Sequence, residues 1–478
     1  MHRKSAGLIL GLCLAVVATA FQIASSSPPA AAATSGFSIS TTPAMQPSFS
    51  PSISDYAVRC AGLPTTHLTT TTRHSVTIGG SAVAGPAAVD LSLVAGQEVT
   101  VTRGSHSYYI RCLPSDFPTY TSAVTGHPKA SGYLVTLTPY VVAFDLDGVP
   151  VWWYRDGGVF SPWDAKSFSA TTIGWWNSAG FTSENPAATS GQYVLHNLDG
   201  SVSHTVGGST VPLDFHDLTQ MPNGDYLGMT DGTTQCPAIP SQCFDLRAWG
   251  QSAQSSVLNN VIVELNAANQ IVWSWSAAAH IDVANEDTNW RDQYPDAIHM
   301  NSVQYDGAGG IIFSARHLDA VYRIDMATGA ITWKLGGTPT PQSLTVTGNQ
   351  YAELFSGQHY ARLTAKGTIT VHDNGTRLGH LARGIEFKIN TKKKTATVVT
   401  QVTDPRSVTS ICCGSAELTT GGDWVSSWGY NDFMTELNAA GVPQLTITYP
   451  GEFSYRTGLL GAPIAALRAG MDTMVPPL

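Results

Sequence analysis

Three histidines of the sequence stand at the same position relative to a turn. Each lies eight residues before a glycine, which pairs His216 with Gly224, His299 with Gly307 and His359 with Gly367. Glycine at that distance is typical of the turn of an antiparallel hairpin, so each histidine is predicted to begin a strand. If the three strands are equivalent members of a repeated unit, their imidazoles should meet in space.

An arginine is predicted to join these histidines. Arg316 ends the strand antiparallel to the one that His299 begins, and Asp373 and Asn374 hold the corresponding place opposite His359. A guanidinium and neutral imidazoles can bind a tetrahedral oxyanion, and a histidine nitrogen can also attack it. The arginine should lower the pKa of its histidine neighbours, which keeps them neutral and nucleophilic.

Zinc is an alternative occupant for three converging histidines. However, the positive charge of Arg316 would oppose a divalent cation, and no carboxylate in the sequence completes a familiar metal pattern. We therefore expect neither a metal nor an organic cofactor at this site.

A repeated hairpin indicates which elements position the histidines. Six segments, which begin near residues 141, 193, 261, 321, 385 and 434, each show an apolar strand, an Asp/Asn/Gly turn and a second strand. The repeat predicts a six-bladed β-propeller over 126–478. A pair of β-sandwiches is the alternative, but sandwiches do not repeat one hairpin signature six times.

Residues 34–117 predict a small β-sandwich in front of the propeller, so the whole chain should be all-β. Runs such as Ser75–Ile78 and Val99–Thr102 alternate between apolar and polar residues and are separated by Gly and Pro turns. Residues 47–59 resemble the opening of cadherin-like bacterial modules. Such modules position or dimerise a partner domain, so a homodimer is compatible with this region, to which we assign no chemistry.

The first residues predict export. Arg3 and Lys4 precede an apolar run over Ala6–Ile23 and the small residues Ala30–Ala33, the layout of a signal peptide over 1–33. An uncut anchor is the alternative, but polar residues and glycines interrupt the apolar run. We expect a secreted or periplasmic protein with no membrane anchor after cleavage.

Cysteines and charge agree with that location. An oxidising compartment favours disulfides, here Cys60 with Cys112 and Cys236 with Cys243. The adjacent Cys412 and Cys413 could bond to each other or pair elsewhere, which the sequence leaves open. The net charge of −9 argues against nucleic acid as a partner.

The histidine-containing segments resemble the signature blocks of bacterial arylsulfate sulfotransferases. The resemblance covers most of residues 130–456, and its blocks begin at His216, at His299 and at residue 358. It implies that a sulfuryl group moves from a phenolic sulfate donor to a phenolic acceptor without a nucleotide donor. It also implies that His359 becomes sulfated, that His216, His299 and Arg316 bind the group and transfer protons, and that Asn301 is a secondary ligand.

Two other functions compete with this interpretation. A secreted propeller that only binds a sulfated or other anionic ligand would need Arg316 but no nucleophile. A quinone-dependent dehydrogenase is also a propeller rich in tryptophan, but such enzymes usually have eight blades and a calcium site. The sequence shows six repeats and no matching acidic cluster.

Overall fold

The structure, a computed structural model, describes 36–72, 74–158, 162–179, 190–286 and 289–478. The signal peptide predicted over 1–33 lies outside these residues and stays a prediction. Within the described ranges, no helix is long and apolar enough to cross a membrane.

The strands before residue 117 form two sheets. Three strands pair in the order β1-β3-β6 and five in the order β2-β8-β7-β4-β5, with the bounds β1 (Ile39–Thr42), β2 (Asp55–Val58), β3 (Thr66–Thr70), β4 (Val76–Ile78), β5 (Ser81–Val83), β6 (Ala87–Leu91), β7 (Glu98–Arg103) and β8 (His106–Cys112). Alternate residues of β3 are buried, and Leu68 shares one core with Val99 and Ile110 of the other sheet. The two sheets therefore enclose a common core, as the layers of a β-sandwich do.

The strands after residue 117 form six further sheets in the part of the chain that the structure describes. The first half consists of β9 (Thr121–Val124), β10 (Tyr133–Leu137), β11 (Tyr140–Phe144), β12 (Pro150–Arg155), β13 (Trp163–Ser167), β14 (Thr172–Ala179), β15 (Ser190–Asn197), β16 (Val202–Gly207), β17 (Leu218–Gln220), β18 (Tyr226–Thr233), β19 (Leu258–Leu265) and β20 (Ile271–Ser276). The second half consists of β21 (Met300–Tyr305), β22 (Gly310–Ala315), β23 (Ala320–Asp325), β24 (Ile331–Gly336), β25 (Thr345–Thr347), β26 (His359–Leu363), β27 (Ile369–Asp373), β28 (Arg383–Asn390), β29 (Thr395–Val402), β30 (Ser415–Leu418), β31 (Trp424–Ser427), β32 (Phe433–Leu437), β33 (Pro443–Thr448) and β34 (Thr457–Leu459).

The six sheets are arranged as a β-propeller, which confirms the predicted fold class. Four of them pair consecutive strands as β13–β16, β17–β20, β21–β24 and β26–β29, the last with β25 at its edge. The other two sheets combine both ends of this region, in the orders β12-β11-β10-β34 and β30-β31-β32-β33-β9. The strands β17, β21, β26, β30, β34 and β13 contact one another in that order. The sheets therefore surround a common axis.

The burial of the strands follows from this packing. Every residue of β10, β11 and β22 is buried, because the central strands of a propeller sheet are covered by a neighbouring sheet on each face. The glycines that marked the turns, Gly224, Gly307 and Gly367, adopt φ of +92°, +75° and +75°. A left-handed backbone of this kind favours glycine, which explains the turn signal in the sequence.

Two α-helices occur in the described residues, α1 (Val283–Glu286) and α2 (Ile464–Met474). α2 packs on β12 and also forms ion pairs with the five-stranded N-terminal sheet. Arg468 lies 2.8 Å from Asp55, and Asp472 lies 2.8 Å from Arg111. The C-terminal helix thereby joins the N-terminal sheets to the propeller.

Candidate active site

The three histidines of the sequence pattern occupy equivalent positions in the propeller. His216 and His299 stand just before β17 and β21, and His359 is the first residue of β26. Each of these strands is the one nearest the axis in its sheet. The rings of His216 and His299 lie 4.9 Å apart, and the charge of Arg316 acts on His359, as would a proton on either of the other two rings. The structure therefore brings together the four residues predicted to carry the chemistry.

His216 is held by an aspartate two residues before it. Its Nδ1 lies 2.7 Å from Oδ1 of Asp214, which also accepts the backbone N–H of His216 at 2.8 Å. Burial, followed by the charge of Arg456, lowers the pKa of His216 to about 4, whereas burial raises the pKa of Asp214 to about 7. The imidazole is therefore neutral near pH 7 and uses Nδ1–H to bond Asp214.

His299 has a similar partner in Asp296. The distance between Nδ1 of His299 and Oδ2 of Asp296 is 2.5 Å. Burial works against ionisation of Asp296, but His299 and His317 lower the pKa of this carboxyl to about 2. His299 adopts a φ of +54°, an unusual value for a residue with a side chain. The carboxylate can fix the orientation of the ring and stabilise its protonated form.

His359 is 1% exposed. Its Nδ1 lies 3.0 Å from the carbonyl oxygen of Gly357, which can only accept, so Nδ1 carries the proton and Nε2 carries the lone pair. Burial and then Arg316 lower the pKa of His359 well below its usual range. The Nε2 atom accepts the backbone N–H of Cys413 at 3.2 Å. This is the nitrogen at which a covalent bond to a substrate could form.

Arg316 is buried beside these rings. Its Nη1 lies 2.6 Å from Nε2 of His317, its Nη2 donates to the carbonyl oxygen of Ile411 at 2.6 Å, and its Cζ lies 4.2 Å above the ring of Trp290. Its Nε has no hydrogen-bond partner among the described residues. Burial lowers the pKa of Arg316 to about 10, so the guanidinium still carries its charge at neutral pH. Arg316 therefore supplies a fixed positive charge and N–H donors that can bind an oxyanion.

Asn301, predicted as a secondary ligand, is fully buried. Its Nδ2 donates to the carbonyl oxygen of Gln358 at 2.8 Å, directly before His359. Its Oδ1 has no hydrogen-bond partner in the part of the chain that the structure describes. In this structure the side chain therefore fixes the start of β26.

An ion cluster that the sequence did not reveal lies next to the histidines. Arg456, just before β34, donates from Nη1 to Asp164 at 2.8 Å and from Nη2 to the carbonyl oxygen of Asn301. Asp217, the residue after His216, accepts two bonds of 2.8 Å from Arg362 and a further bond from Lys166. Within this cluster, the charge of Arg456 disfavours protonation of both His216 and His359, whereas Asp164 acts in the opposite direction on His216.

The sequence argument against a metal assumed that no suitable carboxylate accompanies the histidines, and this assumption is wrong. Ligand atoms of Asp296, His299 and His317 lie within 4.8 Å of one another. However, Nδ1 of His317 bonds the carbonyl oxygen of Asp296 at 2.5 Å, and its Nε2 faces a nitrogen of Arg316. Because both ring nitrogens of His317 already have partners and an arginine adjoins them, the contacts favour a hydrogen-bond network over a cation site.

Aromatic side chains flank His216. The ring of Phe215 stacks on it at 4.0 Å, and the rings of Trp163 and Tyr455 lie 5.0 Å and 6.0 Å from Phe215. Such a group of rings offers an apolar surface to an aryl substrate. A separate cavity of about 1010 Å³ is lined by residues such as Asp245 and His280 and does not include the three histidines.

The described part of the chain contains three disulfides. Two are the pairs expected from the sequence, Cys60–Cys112 and Cys236–Cys243. The third joins Cys412 to Cys413, the arrangement that the sequence had left open. It lies just before β30 and next to Gly414, which stands eight residues before Gly422 as the histidines stand before their own turn glycines.

With its ring of sheets and its buried histidine–arginine cluster, the chain belongs to the β-propeller class of folds. A family model described as Arylsulfotransferase (ASST) matches residues 130–448. The chain belongs to this family, and membership supports arylsulfotransferase activity.

The chain is also similar in fold to solved structures of low identity. A protein of unknown function from Bacteroides caccae shares 10% identity with a TM-score of 0.41, covering 71% of this chain and 98% of its own. The β-propeller domain of Cps50 (Swd1) from Myceliophteria thermophila shares 11% with a TM-score of 0.36, covering 70% and 90%. A catalytically inactive virginiamycin B lyase from Staphylococcus aureus with quinupristin shares 11% with a TM-score of 0.35, covering 70% and 88%. No curated protein matches the chain.

Proposed function

We propose that the enzyme transfers a sulfuryl group from a phenolic sulfate ester to a phenolic acceptor in two displacements, through a sulfated His359. The observation that carries this proposal is the state of the His359 ring. Its proton is held at Nδ1 by the carbonyl oxygen of Gly357, so the lone pair lies on Nε2. Its lowered pKa keeps the ring neutral, which a nitrogen nucleophile requires.

In the first displacement, the Nε2 lone pair of His359 forms a bond to sulfur while the bond between sulfur and the phenolic oxygen breaks. The leaving phenolate takes the electron pair and accepts a proton from the protonated His299. The nearby Asp296 carboxylate stabilises that imidazolium. Arg316 and the neutral His216 bind the sulfuryl oxygens and the ester, where charge shifts during transfer.

In the second displacement, a phenolic acceptor enters in place of the first phenol. Neutral His299 removes the phenolic proton as the acceptor oxygen attacks sulfur, and the bond between sulfur and Nε2 of His359 breaks. His299 thus regains from the acceptor the proton that it gave to the donor phenolate. The sulfate donor and the phenolic acceptor therefore occupy one site in turn, which gives ping-pong kinetics.

We further propose that the enzyme works after export, as a secreted or periplasmic protein without a nucleotide donor. The disulfides of the structure support an oxidising compartment. The division into a leader over 1–33, a sandwich over 34–117 and a propeller over 126–478 belongs to the same proposal. So does a homodimer formed through the N-terminal sheets. Cleavage of the leader is tested by sequencing the N-terminus of secreted material.

The test of the mechanism uses 4-nitrophenyl sulfate with no acceptor. A two-step enzyme should release a burst of nitrophenol approaching one equivalent, and mass spectrometry should find a sulfuryl adduct on the peptide that contains His359. His359→Asn should abolish both results, whereas the control His280→Asn, at an exposed position remote from the site, should retain them.

An adduct on His216 or His299 would contradict the assignment of the nucleophile and leave sulfuryl transfer intact. Without a burst or an adduct from any aryl sulfate, the two-step mechanism fails. The second candidate function, binding of an anionic ligand, would then be favoured by the contacts of Arg316.

A further inference from the structure

One short segment forms hydrogen bonds with two of the groups that the proposed reaction uses. We name residues 410–414 the cap segment. The carbonyl oxygen of Ile411 accepts a bond of 2.6 Å from Arg316, and the backbone N–H of Cys413 donates to Nε2 of His359 at 3.2 Å. The cap segment therefore engages the proposed anion-binding arginine and the proposed nucleophile together.

The bond from Cys413 is incompatible with sulfuryl transfer to His359. A new bond to sulfur must use the Nε2 lone pair, and the N–H of Cys413 lies on that atom. The other ring nitrogen offers no alternative, because Nδ1 faces the carbonyl oxygen of Gly357 and the amide of Asn374. A covalent bond is much shorter than a hydrogen bond, so sulfur and the Cys413 nitrogen cannot share this place. The Cys413 peptide has to move before His359 can react.

Several contacts hold that peptide where it is. The carbonyl oxygen of Cys413 accepts Nδ2 of Asn374 at 3.0 Å, and the hydroxyl of Ser410 donates to the carbonyl oxygen of Cys412 at 2.7 Å. Cys413 adopts a φ of +72°, a left-handed conformation that a residue with a side chain rarely takes. A conformation of this kind persists only where its surroundings impose it.

The covalent restraint on the peptide is the Cys412–Cys413 disulfide. It closes a small ring that contains the peptide bond between the two residues, so rotation of the peptide is restricted while the bond is intact. Cys413 is buried, but Cys412 is partly exposed, and the side chain of Ile411 beside it is 62% exposed. A small reagent can therefore reach the disulfide from the outer side of the cap segment.

We propose that Cys412–Cys413 is a redox-sensitive site at which a dithiol uncaps His359 and accelerates sulfuryl transfer. The inference rests on the proposed function, since it takes His359 as the nucleophile. One thiolate of the dithiol attacks a sulfur of the pair and forms a mixed disulfide, which its second thiol resolves. The dithiol is oxidised to a cyclic disulfide, and the two cysteines each gain one electron and one proton. The freed peptide then rotates away from Nε2.

The first measurement is the burst rate of the full chain with 4-nitrophenyl sulfate, before and after treatment with dithiothreitol. Loss of one hydrogen bond on the nucleophile should raise the rate about fivefold. Re-oxidation should restore the slower rate. The double variant Cys412→Ser with Cys413→Ser should be fast and insensitive to the dithiol. The matched control Cys236→Ser with Cys243→Ser lacks a different short-range disulfide and should keep the full response.

The second measurement does not depend on sulfuryl transfer. Diethyl pyrocarbonate acylates accessible neutral imidazoles, so the peptide containing His359 should be labelled after reduction and protected before it. Equal labelling in both states would overturn the capping role even if the burst were fast. An unchanged or slower burst after reduction would overturn it as well. Redox-dependent labelling without any burst would instead support the cap and refute the proposed function.

Discussion

His216 and His299 lie with their rings 4.9 Å apart and inclined by 77°, and an aspartate bonds Nδ1 of each ring. The two aspartates precede their histidines by different intervals and lie in the loops that lead into β17 and β21. Because each Nδ1 is occupied, Nε2 is the nitrogen of each ring that remains for substrate. The two pairs differ in charge, because burial raises the pKa of Asp214 to about 7, whereas nearby histidines lower that of Asp296 to about 2.

Replacement of Asp296 by Asn should slow the burst most for donors whose leaving phenolate is strongly basic and therefore needs a proton. We expect the burst rate with phenyl sulfate to fall about 100-fold and that with 4-nitrophenyl sulfate to fall much less. The control Asp292→Asn changes an exposed carboxylate paired with Arg377 and should affect neither donor. Equal losses with both donors would argue against proton transfer through His299.

Replacement of Arg316 by Lys should reduce transfer about tenfold or more, because lysine keeps the charge but loses the planar fork. The matched control is Arg377→Lys. Arg377 also lies over Trp290, at 4.1 Å, but it bonds the exposed Asp292. Steady-state transfer from 4-nitrophenyl sulfate to phenol measures both variants. Unchanged kinetics in Arg316→Lys would remove this arginine from the reaction.

Arg316 should determine the pH below which protonation of His359 slows the burst. In the unmodified enzyme, burial and Arg316 hold the pKa of His359 well below its usual range, so protonation of His359 should not slow the burst between about pH 6 and 8. Arg316→Met removes a positive charge and should raise that pKa. The acidic limb of the profile should then move to higher pH, since only the neutral ring attacks. Profiles of identical shape would contradict this electrostatic role.

Replacement of Asp217 by Asn should destabilise the propeller. Burial opposes ionisation of Asp217, but Arg362 and Lys166 hold its pKa below the usual value. Loss of this carboxylate leaves the largely buried Arg362 without its ion-pair partner, at a cost of about 3–5 kcal/mol. A depressed pKa contributes stability above about pH 4 that is lost as the pH falls, so the variant should lose that dependence. Denaturant unfolding tests both points, with the exposed Asp199→Asn as control.

The sequence was sufficient to predict the fold class and to bring three histidines and an arginine together. It succeeded because a hairpin repeats and because glycine marks each turn where φ is positive, as at Gly224. Asp214 and Asp296 were missed because they stand two and three residues before their histidines, so no common spacing identifies them. Arg456 was missed because it reaches the histidines only through closure of the ring by β34. The contact from Cys413 is made by its backbone and has no side-chain signature.

The ring is closed at two adjacent sheets rather than one. β34 pairs with β10, and β9 pairs with β33, so each of these two sheets carries at its edge a strand from the opposite end of the propeller region. Pairings between such distant segments form slowly, because the intervening loop must lose its conformational freedom first. Neither sheet can be completed while the chain is still being synthesised or threaded. If the chain is exported as proposed, the propeller would stay open until its last strands emerge, so the polypeptide would pass a narrow channel before the ring closes.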